Sequence, residues 1–273
     1  MDTRVIESAL DSAASLFELS VEDAPHSLVV RSFRGRERLS KTFTFDVHAN
    51  GPEIDAEAIE EHFVGRRAHL RFGRGSGAER WVHGVVRRMD AEGAARETED
   101  ARGYRLEIVP TLRLLGEKKN SRIFQDLSVP EIVTAMLEKA GVTLRLAVNG
   151  GGKRAYCVQH QETDLAFIER LLREEGIFYW FEQPAEPGAT EVLVLGDSAA
   201  ALRPETAEST FRVAKRDGMA MQDDHDLATF QLGNRVRAGK VLLRGFDFGR
   251  PSFDMHSEAS VGDLVDPFDE RDT

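Results

Sequence analysis

Apolar and polar residues alternate along most of positions 1 to 115, which is the pattern of antiparallel strands with one buried and one wet face. In TFTFDVHA, apolar residues occupy every second position, at Phe43, Phe45, Val47 and Ala49. RAHLRF repeats this pattern, and RWVHGVVRRM and YRLEIVPTL flank a polar, glycine-containing stretch that predicts the tip of a long hairpin. A twisted antiparallel sheet of this size favours closure into a small β-barrel, because closure removes its open edges.

A short helix is predicted between these strands, in IDAEAIEEHFVG. Asp55 is its expected N-cap and Gly65 its expected C-cap, and Ile54 and Ile59 have the spacing of a hydrophobic staple.

Two longer amphipathic helices are predicted in the middle of the chain. In LSVPEIVTAMLEKAG, Ser128 is an N-cap, Glu131 completes a capping box and Gly141 ends the helix. The second helix begins after Thr163 and ends at Gly176, and one arc of it carries Leu165, Phe167, Ile168, Leu171 and Leu172. The segments VTLRLAV, AYCVQ and IFYWFE predict strands around these helices.

The residues before the second helix admit a chemical and a structural interpretation. His160, Glu162 and Asp164 could serve a metal or acid/base site, but ligands should converge on one face, as in HExxH, and no PCxxC follows as in zinc deaminases. As a structural element, Asp164 complements the positive helix start, and Glu169 and Arg173 have the i, i+4 order of an ion pair. Capping and packing is the prediction, and a metal-dependent hydrolase using the three residues is the alternative.

Strand-like segments return after Phe211, in FRVAKRDG, ATFQLGN, KVLLRGFDF and SFDMHSEAS. They predict the start of a second barrel, which is truncated because GDLVDPFDERDT has no strand pattern. The predicted fold class is therefore α+β and mainly antiparallel β. We expect a first barrel in residues 1–115, an α/β section in 116–195 and the incomplete second barrel in 196–273.

Charge and composition narrow the classes of function. The chain has 273 residues, of which 41% are hydrophobic, enough for one large or two modest cores. Its net charge of −11 argues against a general nucleic-acid or anionic-membrane binder. Residues 30–90 nevertheless hold 12 basic and 9 acidic side chains, which we interpret as solvated strand faces.

The single cysteine suits a protein of a reducing compartment, and the hydropathy pattern predicts neither a signal peptide nor a membrane span. The single cysteine, Cys157, excludes an internal disulfide or a multi-thiolate zinc site, and its strand context predicts a buried small side chain. The first twenty residues carry acidic side chains where a signal peptide would need an apolar core. No apolar run approaches the ~18 residues of a membrane span.

Several segments imitate known motifs without their context. GRGSGA lies between two predicted strands, whereas a dinucleotide loop must precede a helix, so it predicts a hairpin turn. NGGGKR lacks the Ser/Thr and the upstream glycine of a P-loop, and no GxSxG elbow occurs. The basic stretch Arg31–Lys41 could suggest a nucleic-acid face, but a hairpin with a basic turn explains it more simply.

Four segments together resemble the N-terminal hub region of VgrG, the spike protein of the type VI secretion system. They are RWVHGVVRRM, SRIFQDLSVPEIVTAML, YCVQHQETDLAFIERLLREEGIFYWFE and KVLLRGFDFGRP, and the similarity runs from about Phe17 to Pro251. The resemblance implies a fold like the phage tail hub, with two small barrels per chain and three chains in a ring. Two barrels in each of three subunits would give a pseudo-sixfold ring that matches a hexameric Hcp tube to a threefold spike.

The resemblance implies a structural protein rather than an enzyme, with no catalytic residue, cofactor or metal. The implied partners are further copies of the chain, the Hcp tube, baseplate components, and spike-tip and effector proteins, with neither nucleic acid nor stable membrane insertion. Assembly in the bacterial cytoplasm is expected, followed by export through the type VI system without a signal peptide. A related contractile injection system stays open as the host machine.

One departure from the family stands out. VgrG proteins usually continue into an oligonucleotide/oligosaccharide-type barrel and a β-helical needle, and neither pattern occurs in this sequence. The chain is expected to be a fragment, and the alternative is a hub-only variant with a separately encoded spike partner.

Overall fold

The computed structural model describes residues 17–73, 79–92, 102–202, 231 and 239–260. These residues fall into two compact units, one containing residues 17–202 and the other residues 231 and 239–260. None of the helices in the described ranges has the length and apolar character needed to cross a membrane.

A six-stranded antiparallel sheet forms the first part of the larger unit. Its strands are β1 (Phe17–Val21), β2 (Val29–Arg38), β3 (Lys41–Gly51), β4 (Arg67–Phe72), β5 (Arg80–Ala91) and β6 (Arg102–Val109). They lie in the order β1-β4-β5-β6-β3-β2. The sheet curls into a half-barrel, and an isolated bridge links Leu19 of edge strand β1 to Leu28, the residue before edge strand β2. The predicted long hairpin is confirmed by the pairing of β5 with β6.

The alternation along β3 decides which side chains fill the half-barrel. Its inward residues are all at most 2% exposed, namely Phe43, Phe45, Val47 and Ala49. They pack with Leu70 of β4, Val82 of β5 and Leu106 of β6. The predicted burial pattern of this strand is confirmed.

Helix α1 (Ala56–His62) joins β3 to β4. The Asp55 side chain accepts a hydrogen bond of 2.8 Å from the Ala58 N–H, which confirms the predicted N-cap. The predicted C-cap is wrong, because the cap residue is Phe63 and Gly65 lies two residues further on, in a left-handed conformation with φ of 81°. Phe63 has no exposed surface, so its burial in the half-barrel core decides where the helix ends.

Strand β5 departs from alternation at its centre. Five consecutive residues, 82 to 86, are buried, because the half-barrel covers one face of the strand and the α/β section covers the other.

The strand predicted through YRLEIVPTL ends at Val109, and Thr111–Leu114 form the short helix α2 after Pro110. Proline cannot donate to the sheet ladder, which explains the early end.

The α/β section completes the larger unit. Its elements are β7 (Lys119–Phe124), α3 (Val129–Lys139), β8 (Thr143–Ala147), β9 (Cys157–Thr163), α4 (Asp164–Glu174), β10 (Phe178–Glu182) and β11 (Val192–Gly196). β10 and β8 flank β11, antiparallel and parallel to it respectively, and β7 pairs with β9. The core between helices and strands includes Ile132, Leu137, Phe167, Leu171 and Leu195.

Both long helices have the ends that the sequence predicts. Ser128 and Glu131 form a reciprocal capping box at the start of α3, and Thr163 caps α4. Gly141 and Gly176 follow the two helices with φ of 68° each, a conformation that glycine adopts without strain. Cys157 is buried at 6% exposure, as its strand context predicts.

The smaller unit contains one described hairpin. β12 (Lys240–Gly245) pairs antiparallel with β13 (Met255–Ser260). FRVAKRDG, another strand-like segment predicted for the second barrel, and GDLVDPFDERDT, which has no strand pattern, lie outside the described residues.

We predict that Gly84→Ala lowers the free energy of unfolding by about 1–3 kcal/mol, because overpacking forces neighbours apart. A Cβ at Gly84 would lie 2.6 Å from the Val109 carbonyl oxygen, which belongs to the backbone and cannot rotate away. Gly152→Ala is the control, since no atom lies within 4 Å of its added Cβ. Urea unfolding of both variants measures the difference, and equal stability would contradict the close approach of β5 to β6.

Candidate functional site

The residues weighed for a metal or acid/base site do not share a ligand position. His160 is exposed, the Glu162 carboxylate accepts from Arg170 at 2.6 Å, and the Asp164 carboxylate accepts from Arg122 at 3.0 Å. Within the described ranges, no group of three or more His, Cys, Asp or Glu residues has the arrangement to hold a metal ion. The hydrolase alternative gains no support from these positions.

Asp164 instead joins α4 to the β7–β9 pair. One carboxylate oxygen accepts from Gln159 at 2.7 Å and Asn120 at 3.0 Å, and the other accepts from Arg122. Burial raises the pKa of this carboxyl, but the three hydrogen bonds outweigh it and hold the pKa below its ordinary value. The ionised form of Asp164 is therefore a structural acceptor.

A chain of alternating charges runs along the exposed side of α4. Arg170 donates to Glu162 and to Glu174, and Arg154 donates to Glu174 and to Glu175. The predicted Glu169–Arg173 side-chain pair is wrong. Arg173 donates to the Glu169 backbone carbonyl at 3.0 Å, and the Glu169 carboxylate accepts from Tyr179 at 2.8 Å. The buried hydroxyl of β10 competes for this carboxylate, which helix spacing alone does not reveal.

Hydrogen bonds and aromatic contacts join the half-barrel to the α/β section. The Ser40 N–H, in the β2–β3 turn, donates to the Tyr179 carbonyl of β10 at 2.8 Å. Phe43 of β3 and Phe181 of β10 meet edge to face at 5.1 Å. A cleft of about 560 Å³ opens beside these contacts, between the turn and edge strand β10.

A histidine pair closes the same junction on the β4–β5 side. His83 has no exposed surface, and its backbone N–H donates to the Gln183 side chain at 2.9 Å. Its Nε2 lies 2.7 Å from the Pro184 carbonyl and its Nδ1 lies 2.8 Å from Nδ1 of His69. A carbonyl only accepts, so Nε2 carries the proton, Nδ1 of neutral His83 accepts, and His69 donates. Neither histidine carries a motif spacing, so sequence reasoning missed this pair.

Protonation works against this arrangement. Partial burial, followed by the neighbouring His83 and Arg67, lowers the pKa of His69 below its ordinary value. With a second proton on the pair, the two facing nitrogens would both be donors and could not share a hydrogen bond. Alkaline and neutral conditions therefore favour the closed junction.

Comparison with known proteins finds a matching family profile and similar proteins. A profile described as the phage tail baseplate hub (GPD) matches residues 36–271. Two similar proteins are the type VI secretion system spike proteins VgrG4b and VgrG5 of Pseudomonas aeruginosa. VgrG4b is 34% identical over 86% of this chain, and VgrG5 is 33% identical over 88%. The chain spans only 28% and 29% of the lengths of these two relatives.

A solved structure has the same fold. It is the E. coli c3393 protein, a component of the type VI secretion system with structural similarity to the T4 bacteriophage tail proteins gp27 and gp5. The TM-score is 0.60 at 24% identity, over 73% of this chain and 53% of the other.

We predict that the free energy of unfolding decreases as the pH falls from about 7.5 to about 5.5, and that His69→Gln reduces this slope. A lowered pKa means that the unfolded chain binds the proton more readily than the folded one, so acidification favours unfolding. Glutamine keeps a donor for His83 but cannot take up a proton. Denaturant unfolding at each pH measures the slope. His26→Gln, at an exposed position, is the control for the loss of one imidazole. Equal slopes in the wild type and in His69→Gln would contradict the role assigned to the His69–His83 pair.

We also expect Asp164→Asn to destabilise the chain by about 1–3 kcal/mol, the cost of disrupting partly buried hydrogen bonds to a charged acceptor. The new amide group would face donors from Asn120, Gln159 and Arg122. Glu138→Gln, at an exposed position of α3, is the control for loss of one carboxylate. Chemical unfolding compares the two variants, and equal stabilities would show that the ionised form of Asp164 is not needed.

Proposed function

Since the chain belongs to the phage tail baseplate hub family, we propose that it forms the base of a type VI secretion spike. Its relatives are spike proteins and its fold is that of tail-hub proteins, so the role is structural rather than enzymatic. Three copies close into a ring, seat on the hexameric Hcp tube and carry the threefold spike. Baseplate components, the spike tip and effector proteins are the other proposed partners.

The observation that supports assembly is the apolar surface of the β12–β13 hairpin. Every residue of both strands is exposed. The side chains of Leu243, Phe246 and Phe248 are 65%, 62% and 90% exposed. An apolar patch of this kind marks an interface on a soluble protein, and joining copies around a threefold axis would bury it.

The proposed domain organisation gives the ring its symmetry. A first barrel in residues 1–115 and a second that begins in residues 196–273 would alternate around the ring, with the α/β section of residues 116–195 between them. Six similar barrels would then meet six tube subunits. We propose that this particle assembles in the bacterial cytoplasm and leaves through the secretion machine itself.

Assembly of the complete protein tests the proposal. We expect it to sediment as a trimer at micromolar concentration and to co-purify with Hcp, whereas Phe248→Glu should be monomeric because a buried, unpaired carboxylate is costly in an apolar interface. Tyr156→Glu is the matched control, since Tyr156 is an exposed aromatic residue, at 58%, of the larger unit.

Analytical ultracentrifugation and pull-down provide the two measurements. A wild-type protein that stayed monomeric would refute the hub proposal as a whole. A Phe248→Glu protein that still formed trimers would refute only the role of the hairpin.

A further inference from the structure

Three exposed arginines of β2 differ from most other arginines of the half-barrel. Arg34, Arg36 and Arg38 occupy alternate positions and are exposed. In the described part of the chain, none of the three has a side-chain hydrogen bond or an ion pair. Most other arginines of the same sheet are paired, as in Arg105 with Asp46 at 2.8 Å and Arg87 with Glu107 at 2.6 Å.

The core holds these arginines outward. Phe33 packs against Phe17 at 5.4 Å and Phe72 at 4.7 Å inside the half-barrel. Gly35 faces the ring of Phe45 so closely that a Cβ would overlap it. Because side chains alternate along a strand, inward Phe33 and Gly35 place Arg34 and Arg36 on the opposite face, and Arg38 follows a register irregularity at the end of the strand. The packing of Phe33 and Gly35 therefore determines the orientation of the first two arginine side chains.

Among the described residues, none pairs with the outer edge of the same strand. β2 is the last strand of the six-stranded sheet, and the bridge between Leu19 and Leu28 lies before it begins. Along residues 32–38, no described residue forms a backbone hydrogen bond to the outer edge of β2. Unpaired backbone groups on an edge accept an added strand.

Apolar side chains mark both ends of this edge. Val29 at its start is 65% exposed, and Leu39 after its end is 54% exposed. The strand therefore presents an apolar end, three unpaired cations and a second apolar end. Cations two residues apart on a strand are about 6.6 Å from one another.

We propose that the open edge of β2 binds an acidic β-strand of a partner protein, with carboxylates at alternate positions between two apolar residues. Residues directly opposite in an antiparallel pair lie close together, so each carboxylate would face one of Arg34, Arg36 and Arg38. Backbone hydrogen bonds would supply affinity, and the charge-assisted pairs would set the register. This surface is distinct from the β12–β13 hairpin and does not depend on the proposed ring.

Charge and geometry favour an acidic strand over a nucleic acid. The net charge of −11 repels a long polyanion, and Asp46 lies directly across from Arg34 on β3. A phosphate backbone would also leave the sheet edge unpaired, whereas a strand satisfies the edge and the arginines together.

Binding of a synthetic peptide to the complete protein tests the proposal. The probe is an extended peptide of about ten residues, the length of a long strand, with glutamates at three alternate positions between valine and leucine. We expect Arg34→Gln combined with Arg36→Gln to weaken binding by about tenfold, the sum of two partly exposed ion pairs. Arg173→Gln, at an exposed position of α4, should leave it unchanged.

Two further probes separate the alternatives. A peptide with the same composition but consecutive glutamates, and one with alternate backbone nitrogens methylated, should both bind at least about tenfold more weakly if a strand is added in register. Circular dichroism verifies the fold of each variant. No binding of the first peptide, equal binding of either altered peptide, or equal binding of a single-stranded oligonucleotide would each overturn the proposal.

Discussion

The larger unit depends on the burial of β5 from both sides. An antiparallel strand at the surface of a barrel needs only one apolar face, but residues 82–86 have the half-barrel core on one side and the α/β section on the other. A polar group in that position needs a partner, and His83 obtains three, from His69, Gln183 and Pro184. The two layers are thus joined by directed hydrogen bonds as well as by apolar contact.

The contacts of the charged residues around α4 indicate a structural role for them. A histidine and two carboxylates close together in sequence invite a catalytic interpretation, but each carboxylate is engaged by an arginine that anchors a neighbouring strand or helix. Partly buried, multiply paired charges of this kind hold elements in one register, and removing one member leaves the others without partners. The network therefore stabilises the arrangement of α4, β7 and β9.

Local signals in the sequence predict those parts of the fold that depend on neighbours along the chain. The alternation of Phe43, Phe45 and Val47, and the capping box of Ser128 with Glu131, are confirmed because strand period and helix caps are local properties. Three of the misses involve distant partners. Phe63 ends α1 earlier than Gly65 suggests because the barrel core binds it, and Tyr179 takes the carboxylate that helix spacing assigns to Arg173. The His69–His83 pair joins two strands and has no local signature.

The strand order has a consequence for synthesis on the ribosome. β3 pairs with β6, so the hairpin of β2 and β3 must wait for residues 102–109 before its second edge is covered. During that interval a nascent chain exposes an apolar strand rich in phenylalanine, the kind of segment that chaperones protect and that aggregates when it is left alone. Long-range pairing of this kind also slows folding, because the chain loses the entropy of loop closure before the stabilising contacts form. The yield of this protein in a cell should therefore be governed by how quickly β6 emerges.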